Sequence, residues 1–270
     1  MINKSIFGKI SLVVVGALII PTFAVAQIKM GIILGFTGPI ESLTPDMGKS
    51  AELAFKEVSD SGQLLGGQKV SVVRADSTCI DAAAATTAAE RLITSDRVAG
   101  IMGADCSGVT TAIANNVAVP NGVTMISPSA TSPALSTIAD NGYFFRTAPS
   151  DARQGQILAE ITIERGINNV AVTFINNDYG KGLSDSFINA YKGLGGKVSA
   201  VVPHEADKAD FSAEVATLDA SGADVLAVFG YVDQGGNHII QGSLDAGSFD
   251  KFILADGMYG ESLLKNMEGD

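Results

Sequence analysis

Three short patterns in this sequence could in principle carry chemistry. Gly48-Lys49-Ser50 has the ending of a phosphate-binding loop, in which backbone N–H groups cradle phosphates and the lysine meets the terminal ones. The first glycine of that loop would stand at position 43, which is Leu43, so Lys49 reads instead as an exposed lysine in the first turn of a helix. Ser248-Phe249-Asp250-Lys251 matches S-x-x-K, but neither companion motif of that enzyme class is present. Gly31, Gly35 and Gly38 lack dinucleotide spacing, and no G-x-S-x-G elbow occurs. The only histidines, His204 and His238, have no second ligand at metal spacing and read as surface or boundary side chains. No catalytic group, metal or cofactor is expected. The remaining reactive pair is Cys79 and Cys106, whose meaning depends on compartment.

The N-terminus indicates that compartment. Lys4 and Lys9 precede an apolar stretch from Ile10 to Ile20, Pro21 breaks it, and Ala24-Val25-Ala26 gives a small-x-small cleavage pattern. Residues 1–26 therefore read as a secretory signal peptide cut before Gln27. A membrane anchor would need a longer unbroken apolar run. Removing Lys4 and Lys9 takes two positive charges from a net charge of −11 and leaves −13. In an oxidising compartment a Cys79–Cys106 disulfide is the default, with two buried free thiols as the alternative. Cys79 follows the second expected strand and Cys106 the third, and in a parallel sheet those ends can be neighbours.

Composition narrows the class. The chain has 270 residues, 46% hydrophobic and 17% charged, enough for one large domain or two smaller ones and too apolar for disorder. Twenty-nine acidic against 18 basic side chains disfavour a nucleic-acid partner, because a polyanion needs a basic face. Beyond the signal, short apolar runs alternate with amphipathic ones. Strands are expected at 28–34, 70–74, 98–102, 123–126 and 143–146, with helices at 47–59, 81–94 and after Ser107. The series then restarts with helices at 151–165, 181–193, 210–220 and 233–246, and strands at 170–175, 197–202, 224–229 and 252–255. Continuous apolar strands between helices imply parallel sheets covered on both faces, joined by right-handed crossovers. A Ser/Pro/Thr-rich stretch from Ser127 to Ser136 and the Ala148-Pro149-Ser150 break divide the series into an N-terminal lobe, 27–147, and a C-terminal lobe, 148–270. Ligands of such sheets bind beyond the carboxyl ends of the strands, so functional residues are expected just after strands.

At those places stand Thr37-Gly38-Pro39, Gly103-Ala104-Asp105-Cys106-Ser107-Gly108, Met125 to Pro133, Phe145-Arg146-Thr147, Asp178-Tyr179-Gly180-Lys181-Gly182, Gly230-Tyr231 and Ala255-Asp256-Gly257. The ordered set resembles the periplasmic leucine/isoleucine/valine-binding protein family, and it spans essentially all of the mature chain. The resemblance implies a two-lobed type I periplasmic-binding-protein fold. It implies a solute-binding protein, not an enzyme, that captures an amino acid of aliphatic type between its lobes and delivers it to an inner-membrane ABC permease with its ATPase. It further implies a periplasmic monomer, a Cys79–Cys106 disulfide, and a chain that in family members extends beyond the position of Asp270.

Residue by residue, the resemblance places the ligand's α-carboxylate on Ser107, the Ser129 backbone and Thr131. Ser107 would stand at a helix N-terminus, where free N–H groups and the dipole favour an anion without a basic side chain. The ammonium falls to Asp256, by a charge-assisted hydrogen bond. Tyr179 and Tyr231 match positions that close on the ligand. Leu43 stands where the branched-chain binders carry an aromatic wall, and Thr44-Pro45 also departs from their pattern, so the side-chain preference is left open. A sensor ectodomain for amino acids, amides or small carboxylic acids is the second reading, and an exported α/β enzyme the third.

Overall fold

The structure, a computed structural model, describes residues 27–267; the expected signal peptide lies outside them. The chain forms two parallel sheets. Strands β1 (Ile28–Leu34), β2 (Val70–Asp76), β3 (Gly100–Gly103), β4 (Thr124–Ser127) and β5 (Phe144–Arg146) form the first, in the order β2-β1-β3-β4-β5. Strands β6 (Asn169–Ile175), β7 (Lys197–His204), β8 (Val225–Phe229) and β9 (Phe252–Leu254) form the second, in the order β7-β6-β8-β9. Helices α1 (Thr44–Ser61), α2 (Ala82–Glu90), α3 (Ser107–Ile113), α4 (Asp151–Glu164), α5 (Asp178–Gly193), α6 (Ser212–Asp219), α7 (Gly236–Asp245) and α8 (Glu261–Asn266) lie between and after them. This is the doubly covered α/β architecture that the apolar runs predict. None of these helices is long and apolar enough to cross a membrane.

Local chemistry sets the helix starts. The Asp81 carboxylate accepts from the amides of Ala83 and Ala84 at 2.9 Å and so caps α2. Asn177 caps α5 by accepting from Gly180 N at 3.0 Å, and Ser150 caps α4. Pro45 occupies the first turn of α1, where a missing N–H costs nothing, and Gly62 in the left-handed region ends that helix. With Pro45 in its first turn, α1 starts at Thr44, earlier than the apolar periodicity indicates. Lys49 therefore sits in the second turn, exposed and paired with Asp46 at 3.0 Å. The expected helix 81–94 is an α-helix that finishes as a π-turn over Arg91–Ser95, and α3 likewise runs into a π-turn over Ala114–Ala118.

Alternation along β6 and β8 explains the core. Val170, Val172, Val225, Ala227 and Phe229 face one buried cluster, which contains Leu183, Phe187 and Tyr191 of α5. Their neighbours Ala171, Leu226 and Val228 face the other, with Leu218, Ile239 and Ile240. Both sheet faces are thus removed from water, as continuous apolar strands require. A Cβ on Gly155 would lie 2.6 Å from the Phe187 amide nitrogen, so α4 and α5 pack backbone to backbone only because position 155 has no side chain.

Two expectations are corrected. His204 is not a surface or boundary residue: it ends β7 with 1% exposure, its Nδ1 lies 2.8 Å from the Thr173 hydroxyl, and burial pushes its pKa down to about 4. Cys79 and Cys106 form a disulfide with a Cα–Cα separation of 5.2 Å, but their strands are not neighbours. β1 lies between β2 and β3, so the bridge passes over the end of β1.

That bridge closes a loop with a sequence separation of 27. Chain-entropy arguments give it about 3 kcal/mol. The double variant Cys79→Ser/Cys106→Ser is expected to lose about that much in urea unfolding, with a steeper denaturant slope because the unbridged unfolded chain exposes more surface.

Candidate ligand-binding cleft

Strand order reverses beside β1 in the first sheet and beside β6 in the second. At such points the loops leaving adjacent strands diverge and open a crevice. The residues that emerge there meet. Asp105, Cys106 and Ser107 follow β3, Ser129 follows β4, Tyr179 begins α5 after β6, Tyr231 follows β8, and Asp256 follows β9. Together with Ile40, Leu43, Met47 and Gly257 they line one cavity of about 90 Å³ between the sheets, room for several water-sized groups. Five of the six ligand-binding residues expected from the sequence line this cavity. Thr131 lies in an adjoining hollow of about 530 Å³ that shares Ser129 and Asp256 with it and adds Asp151 and Gln154.

Ser107 is the first residue of α3; the N-cap is Cys106. Its hydroxyl does not cap the helix. Ser107 Oγ instead accepts from the amides of Thr131 at 3.2 Å and Ser132 at 3.0 Å, which points its own hydrogen elsewhere. The loop carrying it is held from below by Asp105, which is 2% exposed. Asp105 accepts from Gly35 N at 2.7 Å, Cys106 N at 3.0 Å and the Ser77 hydroxyl at 3.2 Å. Burial raises its pKa, and those three donors oppose the rise.

The second sheet supplies an aromatic and acidic wall. Tyr179 and Tyr231 stack with centroids 5.2 Å apart. The Tyr179 hydroxyl donates to Asp256 Oδ1 at 2.9 Å and accepts from Gly257 N at 3.1 Å, so it orients the carboxylate. A Cβ on Gly257 would fall 2.7 Å from that hydroxyl and 2.6 Å from the Gly230 carbonyl oxygen, which is why this turn needs glycine. Tyr231 OH accepts from Asn177 Nδ2 at 3.3 Å. Both phenols are pushed well above their ordinary range, chiefly by burial and then by nearby carboxylates, and stay neutral donors.

Asp151 was not expected from the sequence. There it reads as an ordinary acid in the first turn of α4, directly after the capping Ser150. In the structure it is fully buried, and among the described residues neither carboxyl oxygen has a well-formed hydrogen bond, the Thr131 hydroxyl being its nearest donor. The Thr131 hydroxyl beside it is likewise without a formed hydrogen bond. Burial raises the Asp151 pKa to about 7; Asp256 adds to the rise, and Thr131 and Arg146 oppose it. Arg146 spends its guanidinium on the Ala130 and Ser132 carbonyls and the Ser136 hydroxyl. The cleft therefore presents two carboxylates, at 151 and 256, facing one region with no cation bonded to either.

The sign of the resulting pH dependence follows. A carboxyl whose pKa rises from 3.8 to about 7 on folding stabilises the native state below the lower value and loses that contribution as pH climbs through the higher one. In the ligand-free protein the loss amounts to up to about 4 kcal/mol. Asp151→Asn is expected to remove it: the variant's stability relative to the parent should grow between pH 5 and pH 8 in urea unfolding. A constant difference across that range would refute the raised pKa.

Comparison with known proteins agrees with this architecture. A family model described as periplasmic binding protein matches residues 27–270. The Leu/Ile/Val-binding protein homolog 1 of Brucella melitensis biotype 1 is 30% identical over 264 residues, covering 97% of this chain and 68% of that protein. Homolog 3 of the same organism is 33% identical over 218 residues, covering 79% of this chain; the aligned segment spans 57% of that relative's length. Among solved structures, the branched-chain amino acid transporter substrate-binding protein LivJ of Streptococcus pneumoniae, in complex with isoleucine, superposes with a TM-score of 0.78 at 28% identity, covering 90% of this chain and 68% of that one. A solute-binding protein of an R. palustris ABC transporter, in complex with 4-hydroxybenzoate, shares the fold at 21% identity and a TM-score of 0.76, covering 90% of this chain and 65% of that one. The matched segments carry both sheets and the crevice between them, and the chain belongs to the periplasmic binding protein family.

Proposed function

We propose that this protein captures an amino acid with an apolar side chain between two lobes, 27–147 and 148–270, and presents it in the periplasm to an ABC permease with its ATPase. The observation that carries the reading is the polarity of the cleft. One cavity is lined by the Ser107 hydroxyl at the start of α3, by Asp256 and by apolar Ile40, Leu43 and Met47, and Asp151 lines the adjoining hollow. A zwitterion with an aliphatic side chain matches these three kinds of lining. The α-carboxylate would take the Ser107 hydroxyl, the N–H groups of the first turn of α3 and the Ser129 backbone. The ammonium would lie between Asp256, Asp151 and the hydroxyl of Thr131, whose own backbone N–H holds the Ser107 hydroxyl. Ile40, Leu43 and Met47 would receive the side chain.

Closure follows from that division. Ser107 and Ser129 belong to the first sheet, and Tyr179, Tyr231 and Asp256 to the second. A ligand gains its second set of contacts only when the lobes approach, and that difference is what shifts the equilibrium. The names of the relatives and the isoleucine complex of the pneumococcal protein support the same ligand class.

Asp256→Asn is expected to weaken L-isoleucine at least about thirtyfold in calorimetry while changing 3-methylpentanoate little, because the closed lobes would bury the ammonium–carboxylate pair and truncating one partner of a buried charge pair costs about 2 kcal/mol or more. Equal losses for both would remove the ammonium assignment. A thermal-shift panel of L-isoleucine, L-leucine, benzoate and acetamide tests the class. Ligand at a hundred times its Kd adds about 2.7 kcal/mol of stability. A rise in Tm with the amino acids alone supports the proposal, and a rise with benzoate alone replaces it with an aromatic-acid reading.

A further inference from the structure

The loop that brings Ile40 and Leu43 to the cavity is fastened at both ends to its own sheet. Behind it, the Thr44 hydroxyl donates to the Gly35 carbonyl at 2.9 Å, and this bond is buried. Before it, the Thr37 hydroxyl donates to Asp76 Oδ2 at 2.7 Å. These bonds lie within the first lobe, so they persist whether the cleft is open or shut.

Between those anchors the loop meets the second lobe. Three hydrogen bonds cross the cleft at this one place. Ser42 N donates to Asp233 Oδ2 at 2.8 Å. Asp233 N donates back to the Pro39 carbonyl at 3.1 Å. The Ser42 and Ser262 hydroxyls lie 3.1 Å apart. Leu43 packs beside them, close enough that a Cβ on Gly260 would stand 3.2 Å from its Cδ2. Asp233 is two residues from Tyr231, which lines the cavity from the opposite side.

We infer that Asp233 is a positioning residue that latches the Ile40–Leu43 loop across the mouth of the cleft, holding the closed state and slowing release of the bound solute without touching it. The reciprocal pair is specific in form. A carboxylate accepts one loop amide while its own amide reaches the loop carbonyl three residues earlier, so the loop is gripped at both sides of one turn. A charged acceptor makes this stronger than a neutral bond, and solvent exposure keeps it weak enough to open. The latch itself is a property of the protein alone; its effect on solute release rests on the function proposed above.

Two measurements separate the latch from that reading. In the first, spin labels are placed through Lys56→Cys on α1 and Lys251→Cys before β9, both well exposed, and the interlobe distance is read without ligand. Asp233→Ala is expected to lengthen and broaden that distance. Asp233→Asn keeps an oxygen that can accept from Ser42 N and should largely restore the parent distribution. An unchanged distribution in Asp233→Ala would overturn the latch. In the second, L-isoleucine dissociation is followed by stopped flow. Asp233→Ala should release it about tenfold faster, with an association rate within about twofold of the parent, the equivalent of about 1.4 kcal/mol. Equal changes in both rates, or none, would overturn the role in retention. A parent that binds no isoleucine, with the distance shift still present, would sink the proposed solute and leave the latch standing.

Discussion

One buried carboxylate organises the first half of the cleft. Asp105 accepts hydrogen bonds from the ends of three strands: from Gly35 after β1, from the Ser77 hydroxyl after β2, and from Cys106 after β3. Each strand end would otherwise leave polar groups exposed at the rim of a crevice. Gathering them on one acid fixes the height at which the β3–α3 loop leaves the sheet, and with it the position of Ser107. The disulfide does the same work covalently, passing over β1 to join the β2 and β3 ends. The Ser107 side of the cleft is therefore braced without any ligand, and a preorganised site loses less entropy on binding.

The opposite side has a different construction. Asp256 is oriented by Tyr179, whose position depends on the missing side chain at Gly257. Asp151 has no such well-formed hydrogen bond among the described residues. A buried acid in that condition is held by the fold against its own solvation preference, at a cost in stability. Costs of this kind cluster at functional sites. Here the cost falls on one of the two groups whose charge a ligand ammonium would compensate, so in the proposed function the acid that is unfavourable in the free protein becomes favourable in the complex.

Much of this was legible in the sequence because it is local. The apolar runs of β1, β6 and β8 are buried on both faces, so their composition alone announces them. The residues just after strands could be named as site candidates because parallel topology places ligands there. What escaped reading depends on contacts far apart in the chain. Asp151 looks like any acid in a first helical turn; only the packing of α4 against the 127–132 loop buries it. His204 ends a strand that is half exposed along its length, and its burial comes from Thr173 on the neighbouring strand together with Phe211 and the Gly230 and Gly235 backbone. The meeting of Cys79 and Cys106 was expected, but the strand between them was not, since strand order is not encoded in any local window. Asp233 opens an expected helix by sequence, but the helix begins at Gly236, and Asp233 in the turn before it acquires its partner 191 positions away.

The placement of these groups also explains why the cleft needs two lobes and not one. In the proposed function Ser107 and Asp256 would meet opposite charges, and a single rigid surface offering both would pair them with each other before a ligand came. Distributing the helix start and the acids over separate sheets keeps the donors and acceptors apart until something zwitterionic bridges them. The aromatic pair Tyr179–Tyr231 then serves two ends. Its apolar faces exclude water from the gap, which strengthens every charged contact inside it, and its hydroxyls hold Asp256 and Asn177 in place. Recognition and closure are in this way the same event, because the groups that would identify the ligand are also the groups that bring the sheets together.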